Sequence, residues 1–314
     1  MIAVLCGGVG AAKFLDGAMR AFDDEEVVGI ANVADDEVMH GLHISPDIDT
    51  ILYTLSGQVN SETGWGLAGE SWRVMERLEA LGGQTWFQLG DLDLATHLYR
   101  SARLGQGATL TEVTAELATK YGLHMRLLPA TNGSLRTIVS IRDEAGGTRG
   151  ISFQEYFVKM RHQPHVEAVA YRSGPDAAPT PEVLNALRSA RAIVIAPSNP
   201  VLSIAPILAI GEIAEMVSKR RNDVVAVTPI VEGRAIKGPA DRVLDSLGFE
   251  SSALGVARFY ADYAASFILD ERDAELAGPI SALGMKVRHT DTVMHDLATK
   301  IALATFVRAS IEEV

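Results

Sequence analysis

The chain has 314 residues, 47% of them hydrophobic and 22% charged, a composition that builds a buried core and excludes an intrinsically disordered chain. Its formal net charge is −12 and its longest basic run is Lys219-Arg220-Arg221, so the electrostatic footprint of a nucleic-acid-binding protein is missing. Cys6, the single cysteine, excludes an intrachain disulfide and is expected to be a buried thiol in a cytoplasmic protein. The first residues lack the basic region of a signal peptide. The most apolar stretch, residues 190–217, is broken by Pro197, Pro200 and Pro206, against a membrane helix of ~20 residues. No membrane partner is expected.

In chain order, residues 2–6 form an apolar run that ends in Gly7, Gly8 and Gly10, and residues 11–20 read as a helix. Strand, glycine turn and helix together bring backbone amides and a helix N-terminus up to a phosphate. The dinucleotide fingerprint fails, because the position of its third glycine is Lys13, and the P-loop pattern is also missing. A nucleotide-phosphate site is the expectation, with a plain tight turn as the alternative. Residues 27–33 read as a second strand that includes Asn32 and ends in Ala34-Asp35-Asp36. Asp35 lies somewhat beyond the position, about 20 residues after the glycines, where an acid holds a ribose. It is either such a contact or a solvated loop acid.

His43-Ile-Ser-Pro-Asp47-Ile-Asp49-Thr50 precedes a helical stretch at residues 51–55. Proline and aspartate there are ordinary helix-start signals. Two carboxylates in so short a space also suit a hard divalent cation, which takes oxygen ligands. A helix is expected over residues 69–81, and Trp65, Trp72 and Trp86 are either core residues or a platform for a flat aromatic ligand. Gly90-Asp91 reads as a turn and helix cap. Asp93 and His97 are spaced to share one helix face, as a surface pair or as the lining of a polar site. An amphipathic helix at 109–121, strands at 124–128 and 136–141, and a short element at 151–157 follow. The middle of the chain, about 50–175, is therefore expected to be an inserted helical/β subdomain, with the core in about 1–49 and 180–314 of a single domain.

Alternation resumes with a helix at 181–188 and a buried strand at 192–196, after which Pro197-Ser198-Asn199-Pro200 opens a helix. This is a second candidate anion loop, with side-chain donors at Ser198 and Asn199. A strand at 224–228, a helix started by Gly238-Pro239, strands at 267–269 and 285–288 and a closing helix at 293–309 complete the chain. Loops that carry chemistry follow strand C-termini, as in a Rossmann-like α/β fold with an open, mostly parallel sheet.

Four stretches acquire meaning together: Gly7-Gly8-Val9-Gly10 with Lys13; Ser45-Pro46-Asp47-Ile48-Asp49-Thr50; Leu89-Gly90-Asp91 through Thr96-His97; and Ala196-Pro-Ser-Asn-Pro200. Phe153-Gln-Glu-Tyr-Phe157, Val225-Ala-Val-Thr-Pro229, Gly238-Pro239-Ala240 and Asp270-Glu-Arg-Asp273 add to them. In order and spacing they resemble the 2-phospho-L-lactate transferase family of deazaflavin coenzyme F-420 biosynthesis, over essentially the whole chain.

The resemblance implies transfer of a phospholactyl or phosphoenolpyruvyl group from a guanosine-diphosphate-linked three-carbon acid to the ribityl hydroxyl of the deazaflavin Fo. GMP is released with the help of Mg2+, and the enzyme is a homodimer. It also implies Fo contacts at Asp49, Gln88, Asp91 and His97, and catalytic and magnesium roles for Asp47 and Asp49. The nucleotide and its phosphates would lie against Gly7, Gly8, Gly10, Lys13, Asn32, Asp35, Ser198 and Asn199. Gln88 stands where the family often has Arg or Lys, Val9 replaces a threonine, and Leu92 replaces an arginine. Two other readings stand beside it: a non-catalytic nucleotide-sugar-binding regulator, whose group shares the glycine-loop core, and a nicotinamide dehydrogenase that the failed fingerprint disfavours.

Overall fold

The apolar run at the N-terminus becomes strand β1 (Ile2–Cys6), buried at every position, and α1 (Gly8–Ala21) follows without a spacer. In this computed structural model residues 1–142, 146–236 and 240–312 are described. β2 (Val27–Ala31) and the hairpin β3 (Glu37–Met39) and β4 (Leu42–Ile44) lead into α2 (Pro46–Leu55). Then come α3 (Arg73–Ala80), α4 (Asp91–Gly105), α5 (Leu110–Lys120) and β5 (Arg126–Pro129). β6 (Leu135–Arg142), β7 (Thr148–Ser152) and β8 (Val166–Ser173) form a separate antiparallel sheet in the order β7-β6-β8, with a π-helical turn at Glu155–Lys159.

The second half contains α6 (Pro181–Ser189), β9 (Ala192–Ile195), α7 (Ala205–Leu208), α8 (Gly211–Lys219) and β10 (Val224–Val227). A small hairpin, β11 (Ile230–Val231) and β12 (Arg234–Ala235), precedes α9 (Ala240–Ser246) and α10 (Ala253–Tyr260). The chain closes with β13 (Ser266–Asp270), α11 (Ala277–Ser281), β14 (Lys286–Thr290) and α12 (Leu297–Glu312). The expected helix start at Gly238-Pro239 lies outside the described residues.

Seven strands form one sheet in the order β14-β13-β10-β9-β1-β2-β5, and every neighbouring pair is parallel. The α/β fold expected from the sequence is thus present. The four central strands β1, β2, β9 and β10 are wholly apolar and buried, because helices cover both faces of a parallel sheet, whereas the edge strand β14 is largely polar. From β1 the chain runs outward to β2 and β5, returns across the sheet to β9, and runs outward again to β14. The direction reverses between β1 and β9, and ligands of open α/β sheets bind beyond the strand C-termini at such a reversal.

Three expectations need correction. Residues 126–129 fall inside the stretch read as an insertion, yet β5 is the edge strand of the main sheet. Gly29 on β2 has no Cβ, and a Cβ there would stand 2.9 Å from Leu127 Cδ1. The helix expected over 69–81 begins only at Arg73, because Gly69 adopts φ +73° and the next residues turn to meet the start of α4. The element expected at 151–157 divides between the end of β7 and the π-helical turn.

No single helix among the described residues is long and apolar enough to cross a membrane. The apolar pair Pro200–Leu208 and Gly211–Lys219 is bent by 94°.

Candidate active site

The two loops at the reversal point meet. Gly8 adopts φ +70°, in the left-handed region that glycine occupies at no steric cost. Its amide donates to Asp47 Oδ1 at 2.9 Å, so that donor is turned toward the protein. Gly10 lies against the carbonyl of Pro197, so close that any side chain would collide with it. Ser198 Oγ donates to the Gly7 carbonyl at 2.9 Å, tying the loops together. Asn199 Oδ1 accepts from Val201 N and Leu202 N, each at 3.0 Å, and caps the π-helical turn Pro200–Ile204. The Ser198 hydroxyl proton and Asn199 Oδ1 are therefore committed within the protein, although both residues line the cavity. Lys13 Nζ, on the same wall, donates to the Met294 carbonyl at 2.9 Å. Asn32 is fully buried behind this wall and donates to Asp47 Oδ2 at 3.0 Å.

Asp47 and Asp49 are both in the first turn of α2, with Pro46 at the helix start. Residues two apart on a helix do not face each other. Asp47 accordingly turns to Gly8 and Asn32, and Asp49 to α4. Burial pushes the Asp47 carboxyl up to about 6, against the hydrogen bonds from Asn32 and Gly8. Asp35, on the same cavity wall, is raised well above the usual carboxylate range by burial and then by the charge of Asp47. Its Oδ1 is buried without a hydrogen-bond partner.

The α4 face toward Asp49 carries Asp93, His97 and Arg100. Arg100 is completely buried, and its guanidinium grips both oxygens of Asp49: Nη1 donates to Oδ2 at 3.1 Å, and Nη2 donates to Oδ1. His97 Nδ1 lies 3.7 Å from Asp49 Oδ2. His97 Nε2 stands 3.2 Å from Asp93 Oδ2, off the line of a directed hydrogen bond. Tyr53 donates to Asp93 Oδ1 at 2.6 Å. Burial raises the Asp49 carboxyl, with Arg100 and His97 pulling against it. Burial works in the same direction on Asp93, but His97 and Tyr53 outweigh it and leave that carboxyl low. One ligand atom from each of Asp49, Asp93 and His97 falls within 4.8 Å of the others, a grouping that could hold a metal ion.

Apart from Asn32 and Arg100, these residues line one cavity of about 710 Å³. The glycine loop, Lys13, Asp35, Ser198 and Asn199 line one part, and Asp49, Asp93, His97, Trp65, Phe87 and Gln88 line another. Phe153 and Phe157, stacked 5.3 Å apart, contribute from the antiparallel sheet side. The structure does not bring Asp91 into this group. Its carboxylate accepts from Ser71 Oγ at 2.6 Å and Val74 N at 3.1 Å, fixing the start of α3 on the outside of the cavity. Gln88 lines the cavity while its amide donates to the Thr85 carbonyl at 2.6 Å. Of the three tryptophans, Trp65 reaches the cavity, and Trp86 lies edge-on to Phe87 beside it.

Residues 2–306 match the family model described as 2-phospho-L-lactate transferase CofD. The chain belongs to the CofD family. This CofD-family chain is 39% identical to the phosphoenolpyruvate transferase of Streptomyces griseus, over 100% of its own length and 99% of that protein. It is 34% identical to the 2-phospho-L-lactate transferase of Methanosarcina mazei, over 97% of its length and 98% of the relative. It is an enzyme of the 2-phospho-L-lactate/phosphoenolpyruvate transferase class. A crystal structure of a Bacillus halodurans protein shares the fold, with a TM-score of 0.61 at 18% identity, covering 97% of this chain and 98% of the other.

Arg100, Tyr53, Phe153 and Phe157 were not singled out from the sequence as site residues. A signal for Arg100 was present: Asp93, His97 and Arg100 recur at helical spacing and form a polar stripe on one face of α4. Asp93 was recognised there, but its partner Tyr53 comes from another helix.

Proposed function

We propose that this CofD-family transferase moves the phospholactyl or phosphoenolpyruvyl group of a guanosine-diphosphate-linked donor onto the ribityl hydroxyl of the deazaflavin Fo, releasing GMP, in coenzyme F-420 biosynthesis. The observation that carries this reading is the single cavity that joins the glycine-loop wall to Asp49 and an aromatic rim. A diphosphate fits the first part, at the reversal of the sheet. A flat tricyclic ring suits the second, where Trp65, Phe87 and Phe153 offer apolar faces. The acceptor hydroxyl would then meet Asp49 at the junction. The hydroxyl oxygen bonds to the phosphorus that carries the three-carbon acid, and the bond from that phosphorus to the GMP oxygen breaks. Positioning and electrostatics supply most of the acceleration in such a transfer.

Magnesium, when bound, offsets the charge on the transferring phosphoryl group. It takes oxygen ligands. Arg100 already neutralises Asp49, whereas Asp35 presents an unpartnered buried oxygen on the same wall as Asp47. Asp47, expected at the ion together with Asp49, would hold it with Asp35, in preference to the group of Asp49, Asp93 and His97, where Arg100 and His97 already lie against the carboxylates. The same reading takes the enzyme as a cytoplasmic homodimer, in line with the family resemblance and the single cysteine.

A mass-spectrometric assay with Fo, Mg2+ and the phospholactate, phosphoenolpyruvate and phosphoglycerate forms of the guanosine-diphosphate donor tests the proposal. A new deazaflavin phosphodiester with one donor, together with GMP, is expected. No product from any donor overturns it.

A further inference from the structure

Arg100 is a fully buried charge next to the cavity, and its environment restricts the chemistry of two neighbours. An arginine side chain only donates hydrogen bonds. Its Nη1 lies 3.2 Å from His97 Nδ1, 3.1 Å from Asp49 Oδ2 and 3.4 Å from the His43 carbonyl. A hydrogen bond from Nη1 requires Nδ1 as acceptor, and a neutral His97 ring in that bond carries its proton on Nε2, the nitrogen 3.2 Å from Asp93 Oδ2. A ring in that tautomer has no lone pair for a substrate hydroxyl at Nε2. Asp49, gripped at both oxygens, still has unused acceptor capacity, since a carboxylate offers about four lone-pair sites.

We propose that Arg100 is a positioning residue that fixes the orientation of the Asp49 carboxylate and the tautomer of His97, so that Asp49, not His97, receives the acceptor hydroxyl's proton. This rests on the transfer reaction proposed above. The hydroxyl proton passes to Asp49 as the oxygen bonds to phosphorus. The electron pair of the broken phosphorus–oxygen bond leaves with GMP. Arg100 touches neither substrate in this arrangement. A lysine at this position would keep the charge and lose the planar fork that reaches both Asp49 oxygens and His97 together.

The test starts from wild-type enzyme with measurable turnover; if no donor gives product, it is the proposed reaction that fails, and this inference is then judged on the histidine tautomer alone. Nitrogen NMR of the His97 ring in the intact enzyme is expected to show the neutral Nε2–H form. A neutral Nδ1–H form overturns the proposal. For Arg100→Met, kcat is expected to fall by about 100-fold, the scale of losing a well-positioned reacting group. GDP affinity is expected to stay within about threefold of wild type. Arg100→Lys is expected to recover part of the lost kcat. A folded Arg100→Met enzyme with kcat within about threefold of wild type overturns the proposal. Arg100→Met leaves a buried carboxylate unpaired and can fail to fold; the tautomer measurement in the wild-type enzyme then decides.

Discussion

Asp49 illustrates how a charged side chain is kept usable in a buried place: its ion pair with Arg100 holds the carboxylate while leaving it on the cavity wall. Replacing it with asparagine keeps the shape and removes the charge. Asp49→Asn is expected to lower kcat by about 100-fold or more, the contribution typical of a positioned proton acceptor. GDP binding, measured by calorimetry, should change little; near-normal turnover with magnesium would refute a catalytic role. Asp47 gives a prediction of opposite kind. Its folded-state value of about 6 is above the usual carboxylate range. The folded protein therefore holds a proton that the unfolded chain has released. The stability this contributes is present in acid and is lost as pH rises through about 6. The carboxyl carbon of Asp47 should titrate near that pH in the free enzyme and at lower pH with magnesium and GDP, because a cation favours the charged form. An unmoved midpoint would remove Asp47 from the metal site. Asp47 and Asp49 were legible in the sequence as a carboxylate pair. Their separate tasks were not, because those depend on which face of α2 each side chain leaves and on partners from α1, from the loop after β2 and from α4.

Two glycines on α1 serve different contacts. Gly10 packs on the Pro197 carbonyl beside the cavity, and Gly17 packs on the Lys300 backbone of α12. A methyl group at either position collides with backbone, which cannot swing aside as a side-chain tip can. Gly17→Ala should cost about 1–3 kcal/mol, the usual range for overpacking, with kcat retained by the folded protein. Gly10→Ala should instead weaken GDP binding by tenfold or more at a similar stability cost, since it pushes apart the two loops of the phosphate wall. Equal effects on binding from both variants would argue against a special role for the first loop. At this scale the strongly periodic elements were readable. The Thr109–Glu112 capping box, marked by Thr-Leu-Thr-Glu, opens α5 as its spacing predicts. The start of α3 was not readable. It is set by Asp91, which accepts from Ser71 Oγ and Val74 N, while Glu70 accepts from Leu92 N and Asp93 N and so caps α4 across a long sequence interval. The contacts of Asp91 were not readable for the same reason, since its partners Ser71 and Val74 are distant in the chain, although Gly90-Asp91 does open α4 as its sequence predicts.

Across the whole molecule, the cavity draws its walls from both halves of the parallel sheet and from the antiparallel sheet beside it. Trp65, 49% exposed on that wall, is placed to report an aromatic acceptor. Fo should quench tryptophan fluorescence; Trp65→Phe should lose most of the change, and Trp72→Phe, outside the cavity, should keep it. The reverse pattern would move the acceptor elsewhere. The sheet was legible as alternating apolar runs and loops, but the position of β5 was not, because its pairing with β2 joins strands about 100 residues apart by backbone hydrogen bonds that no local pattern marks. The Ser198–Gly7 hydrogen bond joins residues 191 positions apart. During synthesis, the strand, the glycine loop and α1 emerge early, and the other half of the phosphate wall emerges only after most of the first two hundred residues. A nascent chain stopped before β9 therefore carries the most recognisable motif of the enzyme and only half of the proposed donor pocket. On the proposed function, donor binding would begin only when the chain has crossed back over its own first strand, which would make nucleotide capture a report on completed assembly.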